Sequence, residues 1–199
     1  MKVLIGLGIS LAIIVVIAAA AGFWVMNTVT RERVSQVATL NAGGATGRVL
    51  LVYHPGLSDF QDRVVTAFAE GLAQRGWEID QTTASQQAPA DPSGYDLVVI
   101  GSPIYGGTVA KPLADYVARV GDFLGKPAVI LLTGAGAATE ALVATEGAVQ
   151  AANGRVAQSL AYTTMQPNES EKAYSGSNVD KALQMARDAG LVLAVEPGT

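Results

Sequence analysis

The stretch Tyr95–Val117, YDLVVIGSPIYGGTVAKPLADYV, decides the fold. Leu97, Val98, Val99 and Ile100 form an apolar run without polar alternation, which suits a strand covered on both faces. It passes through Gly101 into Ser102-Pro103-Ile104-Tyr105-Gly106-Gly107 and then into a helix-like segment with Pro112 near its start. Strand, glycine-rich loop, helix is the unit in which open α/β sheets present ligand sites at the carboxyl ends of their strands.

The flanking sequence repeats that unit. Val49–Tyr53 (VLLVY) reads as a buried strand, followed by a loop and a helix over 59–75 with Val64, Phe68 and Leu72 on one stripe. Trp77–Thr83 alternates as an edge strand does, and 86–92 is a surface loop. Beyond the central unit, Ala128–Leu132 is a fourth strand. An alanine-rich helix ends at Asn153-Gly154, a fifth strand covers Val156–Met165, and a last helix runs over 179–195. Strict alternation of strand and helix implies parallel strands with right-handed crossovers. The expected fold is a three-layer, doubly wound α/β sandwich with a five-stranded parallel sheet.

Before that domain lies a different kind of chain. The run Val3–Met26 carries no charge and is long enough, at about 1.5 Å per residue, to cross a hydrocarbon core of about 30 Å. The reading is a membrane anchor over 1–27 and a juxtamembrane linker over 28–47, whose NAGGATG tract is a tether, with the domain occupying 48–199. A cleaved signal peptide is the rival, since Lys2 and the small residues Ala18–Ala21 suit one. Arg31 and Arg33 outweigh Lys2, so the positive-inside rule predicts a single-pass protein of the cell membrane with its domain facing the cytoplasm.

Composition narrows the function classes. Net charge is −4 and the pI about 4.9, with no basic run, so no nucleic-acid partner is expected. The chain has no cysteine and one histidine, which excludes disulfides, thiolate metal sites and histidine-rich metal sites. No metal is expected.

Five strand–helix units, with VLLVY before the first loop and GSPIYGG after the third strand, resemble the flavodoxin family, including flavodoxin-type protoporphyrinogen oxidases. The resemblance spans Arg48 to about Val195. It implies strand order 2-1-3-4-5 and an FMN where strands one and three diverge. On that reading Ser102, Pro103, Ile104, Tyr105, Gly106 and Gly107 meet the isoalloxazine ring, with Tyr105 stacking and the glycines admitting backbone. His54, Gly56 and Ser58 form the phosphate loop, and Thr133, Gly134 and Gly136 form the opposite wall. The loop HPGLSDF lacks most hydroxyls of the family's T/S-x-T-G-x-T pattern, and Asp59 and Asp62 put negative charge beside it. Ser58 and Gln61 also have the spacing of a capping box. A receiver domain shares the topology but needs an aspartate where this chain has Ile100-Gly101.

Two functions follow. One is a membrane-anchored, FMN-binding electron-transfer protein or flavin-dependent oxidoreductase serving a membrane redox partner. The other is a cofactor-free module of the same fold for protein binding or scaffolding at the membrane.

Overall fold

The computed structural model describes residues 2–165, 168 and 176–195. Its elements are α1 (Lys2–Thr30), β1 (Ala38–Leu40), β2 (Gly47–Tyr53), α2 (Phe60–Gln74), β3 (Trp77–Thr83) and β4 (Leu97–Tyr105). They continue with β5 (Thr108–Val109), α3 (Lys111–Val120), β6 (Pro127–Gly134), α4 (Thr139–Ala151), β7 (Arg155–Thr163) and α5 (Asn178–Val192). Parts of the connection between the fifth expected strand and the last helix, and the chain beyond Val195, lie outside the described residues.

Seven strands form one sheet in the order β1-β3-β2-β4-β6-β7, with β5 paired to β4. Pairs β3–β2, β2–β4, β4–β6 and β6–β7 are parallel, which is the expected order 2-1-3-4-5. The expected count of five is corrected by two short antiparallel additions, β1 on β3 and β5 on β4. β3, expected at the edge, is therefore covered.

Period-two alternation sorts the strand residues onto two faces. Val49, Leu51, Val99, Val129 and Leu131 pack with Val64, Phe68 and Leu72 of α2 and Ala182 and Ala186 of α5. Leu50, Val52, Val98, Ile100, Ile130 and Leu132 pack with Leu113 and Tyr116 of α3 and Val149 of α4. The chain leaving β2 thus turns to one face and the chain leaving β4 to the other. A crevice mouth between these neighbours is the geometric result.

The linker expected over 28–47 is corrected in the same way. α1 continues to Thr30, β1 pairs Thr39 opposite Asp80, and the Thr39 hydroxyl donates to Asp80 Oδ1 at 2.6 Å. Asn41 turns the chain at φ 51° and its amide donates to the Trp77 carbonyl at 2.8 Å. Three residues of strand just ahead of a glycine-rich tract carry too little pattern to stand out. A fragment starting at Arg48 would bare the β3 edge.

α2 and α5 touch backbone to backbone. A Cβ on Gly190 would collide with the Phe68 carbonyl, and one on Gly71 with the Arg187 carbonyl. Gly190→Ala should therefore cost about 1–3 kcal/mol by overpacking, read as a drop of several degrees in Tm. An unchanged melting curve would show that the two helices are free to separate.

Candidate functional site

The mouth lies at the carboxyl ends of β2 and β4, where Tyr53 is opposite Gly101 and the His54 N–H donates to the Gly101 carbonyl at 2.9 Å. From β2 the loop 54–59 leads into α2; from β4 the chain turns back as a hairpin into β5. Tyr105 bridges the two. Its phenol accepts a hydrogen bond from the Leu57 N–H at 2.8 Å. Gly56 permits this approach, since a Cβ there would sit 3.2 Å from the Tyr105 oxygen.

Gly106 and Gly107 have φ 57° and 83°, and a Cβ on either would meet nothing within 4 Å. They form the two-residue turn of the β4–β5 hairpin, which needs positive φ at both central positions. Ser102 is fully buried at the hairpin base, where its hydroxyl accepts from the Ala110 N–H at 2.9 Å and donates to the Pro103 carbonyl at 2.8 Å. Pro103 is buried and Ile104 half-buried at the end of β4.

The capping box is also absent. Ser58 Oγ accepts a long 3.5 Å bond from Phe60 N–H, and α2 begins after Asp59 without a side-chain cap. Gln61 points instead beneath the mouth. It is 1% exposed and hydrogen-bonds the Thr133 hydroxyl at 2.7 Å in either orientation of its amide. A Cβ on Gly101 would lie 2.7 Å from the Gln61 amide nitrogen, so Gly101 makes room for it. Thr133 is therefore held by α2 as well as by its strand, while Gly134 is half-buried at the end of β6 and Gly136 half-buried in the loop that follows. Gln61 and Gly101 were missed as site residues because a glutamine in a first helical turn reads as a cap.

His54 is 1% exposed, and its Nδ1 is buried without a hydrogen-bond partner. Burial, and then the nearby Arg33 charge, lower its pKa to about 4. It is a neutral imidazole at pH 7 and supplies no charge to an anion. Asp62 in the first turn of α2 has Oδ1 buried without a hydrogen-bond partner. Burial first, and then the Asp62 charge, push the Tyr53 phenol up to about 12. No group of three or more metal-ligating side chains occurs among the described residues.

The donor set tests FMN in two halves. The mouth has the topology and an aromatic for the ring. For the phosphate there is one serine, no N–H on Pro55, a Leu57 N–H already engaged, a neutral histidine and two acids. The ring half has the topological position, with Tyr105 lying across it; the phosphate half does not fit. A separate cavity of about 450 Å³ lies between α3 and α4, lined by Leu113, Val117, Ala141, Ala144 and Ala148 among others, and none of the twelve candidate residues reaches it.

No family model matches the chain, and no curated protein sequence matches it. Solved structures do. A flavodoxin from the domain Archaea superposes with TM-score 0.56 at 14% identity, covering 74% of this chain and 96% of that one. The NAD(P)H:quinone oxidoreductase of Methanothermobacter marburgensis gives 0.51 at 16%, covering 78% and 100%. The flavodiiron protein of Giardia intestinalis gives 0.55 at 16%, covering 73% of this chain but 35% of its own. The fold is flavodoxin-like.

The buried histidine makes a pH prediction. As pH falls, the unfolded chain takes the His54 proton near 6.5, before the folded chain does near 4. Stability from this group is full above about pH 6.5, is lost towards about pH 4, and then levels. His54→Asn should flatten the slope of unfolding free energy across that window by up to about 1.4 kcal/mol per pH unit. Equal slopes in denaturant titrations of both proteins would place a proton on His54 in the native state.

Proposed function

We propose that this chain is a membrane-tethered, flavodoxin-like redox protein that takes a flavin by its ring at the β2–β4 mouth. The observation that carries the reading is the mouth between the diverging carboxyl ends of β2 and β4 in a sheet of flavodoxin-like order. The solved structures of this fold include flavodoxins and a quinone oxidoreductase, which supports a redox class for it.

Tyr105 across the mouth also speaks against an occupied site, and magnitudes decide how much. A net hydrogen bond contributes about 0.5–1.5 kcal/mol, whereas a micromolar ligand brings about 8 kcal/mol. Releasing Tyr105 is affordable, and its ring is then free to stack. When bound, the flavin would carry the electrons; Tyr105, Pro103 and Ile104 would orient it, and Thr133, Gly134 and Gly136 would flank it on the β6 side. His54, Gly56 and Ser58 shape the adjoining loop without an anion cradle.

α1 contains a stretch, Ser10–Thr30, long and apolar enough to cross a membrane by length and composition, although a signal sequence passes the same test. The reading takes it as a single-pass anchor in the cell membrane, with the domain on the cytoplasmic side by the Arg31 and Arg33 excess and a membrane redox protein as partner. Tethering raises the local concentration of such a partner.

The second reading, a cofactor-free module for protein binding at the membrane, is favoured by the same Tyr105–Leu57 closure and by the two acids. Titration of the full chain in detergent separates the two. The flavin reading expects quenched flavin fluorescence, with FMN bound within about threefold of riboflavin because its phosphate gains nothing. Tyr105→Phe, which frees the Leu57 N–H, should bind up to about tenfold tighter, and Tyr105→Ala more weakly. No uptake by wild type or Tyr105→Phe at about 100 μM, where binding free energy has fallen well below the micromolar case, would hand the function to the cofactor-free module.

A further inference from the structure

The segment joining α1 to β1 is clamped to the carboxyl end of β3. Thr83 N–H donates to Ser35 Oγ at 3.0 Å, Ser35 N–H donates to Thr83 Oγ1 at 2.9 Å, and the Thr82 hydroxyl donates to the Ser35 carbonyl at 3.1 Å. The Thr83 hydroxyl also donates to the Arg33 carbonyl. Two residues after α1, Glu32 Oε2 accepts from the Gln86 N–H at 3.1 Å. The end of α1 itself touches α3, and Val29 is 6% exposed. Upstream, Phe23 at 75% and Trp24 at 63% stand clear of the domain.

These contacts fix a distance. Four residues lie between Thr30 and Ser35, so the two are at most about 18 Å apart when the chain is extended. Thr83 is opposite Tyr53, which is opposite Gly101, so the clamp lies about 10 Å across the sheet from the mouth. The amino ends of the same strands lie about 20 Å further off. The rim at the carboxyl ends carries exposed Val34, Leu57 and Met165, with Arg31 and Arg33 beside the helix exit.

We infer that the carboxyl rim of the sheet, mouth included, is held against the headgroup layer of the bilayer that α1 enters. The short clamped strap leaves the domain no freedom to present its other end. The mouth then exchanges its ligand or electrons with a partner at the membrane surface, and Leu57 and Met165 meet lipid headgroups. This rests on α1 being a retained membrane span.

The chain has no cysteine, so single labels are clean. Full-length protein carrying a fluorophore at Ala137→Cys, in the loop after β6, or at Ser93→Cys, before β4, is placed in nanodiscs containing a paramagnetic headgroup lipid. Quenching at 137 should exceed that at 93 several-fold, and the double variant Ser35→Ala, Thr83→Val should bring the two together. Equal or reversed quenching in disc-bound wild type overturns the orientation, and a persisting difference in the double variant overturns the clamp as its cause. Release of the unlabelled full chain from vesicles by alkaline carbonate overturns the anchor, and the inference with it.

Discussion

The hydrogen bond from the Leu57 N–H to the Tyr105 phenol is the contact on which the functional account depends. It exists because of a constraint one level down. The segment after β2 goes to the α2 face and the segment after β4 to the opposite face, so two adjacent strand ends part and leave loops to span the gap. In this chain one aromatic reaches across. Its position follows from the Gly106-Gly107 turn, which folds the end of β4 back on itself, and from Gly56, which gives the phenol room.

Beneath that contact the floor is rigid. Gln61 ties α2 to Thr133 of β6 over the top of Gly101, and Ser102 closes the hairpin base. A buried polar bridge of this kind is costly to leave half-made. The Tyr105 ring, half-buried and held by one hydrogen bond to the adjoining loop, is tied down less than this floor. The strap on the other side of the mouth, from Arg31 to Leu40, is equally fixed, through Ser35, Thr39 and β1. The end of α1, the strap and the mouth form a continuous series, and the side of the sheet they share is the side where the topology puts ligands.

The sequence carried the parallel order well, because Val49–Tyr53, Leu97–Ile100 and Ala128–Leu132 are long apolar runs whose burial on two faces leaves few alternatives. It also placed GSPIYGG at the carboxyl end of the third parallel strand, where β4 runs into the β5 hairpin. Short elements escaped. β1 has three residues and β5 two, and their pairing depends on tertiary neighbours that no local period reveals. Roles within the site were read less well than its place. Gly106 and Gly107 answer to a turn, Ser58 and Gln61 do not cap α2, and the buried His54 is neutral, because each of these depends on which way a side chain or loop faces. Asp59 and Asp62 stand at the start of α2, and the loop 54–59 carries no lysine or arginine.

The most direct measurement is the exchange and chemical shift of the Leu57 amide in isotope-labelled full-length protein in detergent, with and without riboflavin. The account predicts an amide protected in the free protein, unprotected in Tyr105→Phe, and shifted when riboflavin binds. A Leu57 amide that stays protected and unmoved at saturating flavin would mean that Tyr105 never leaves the mouth, and would contradict it.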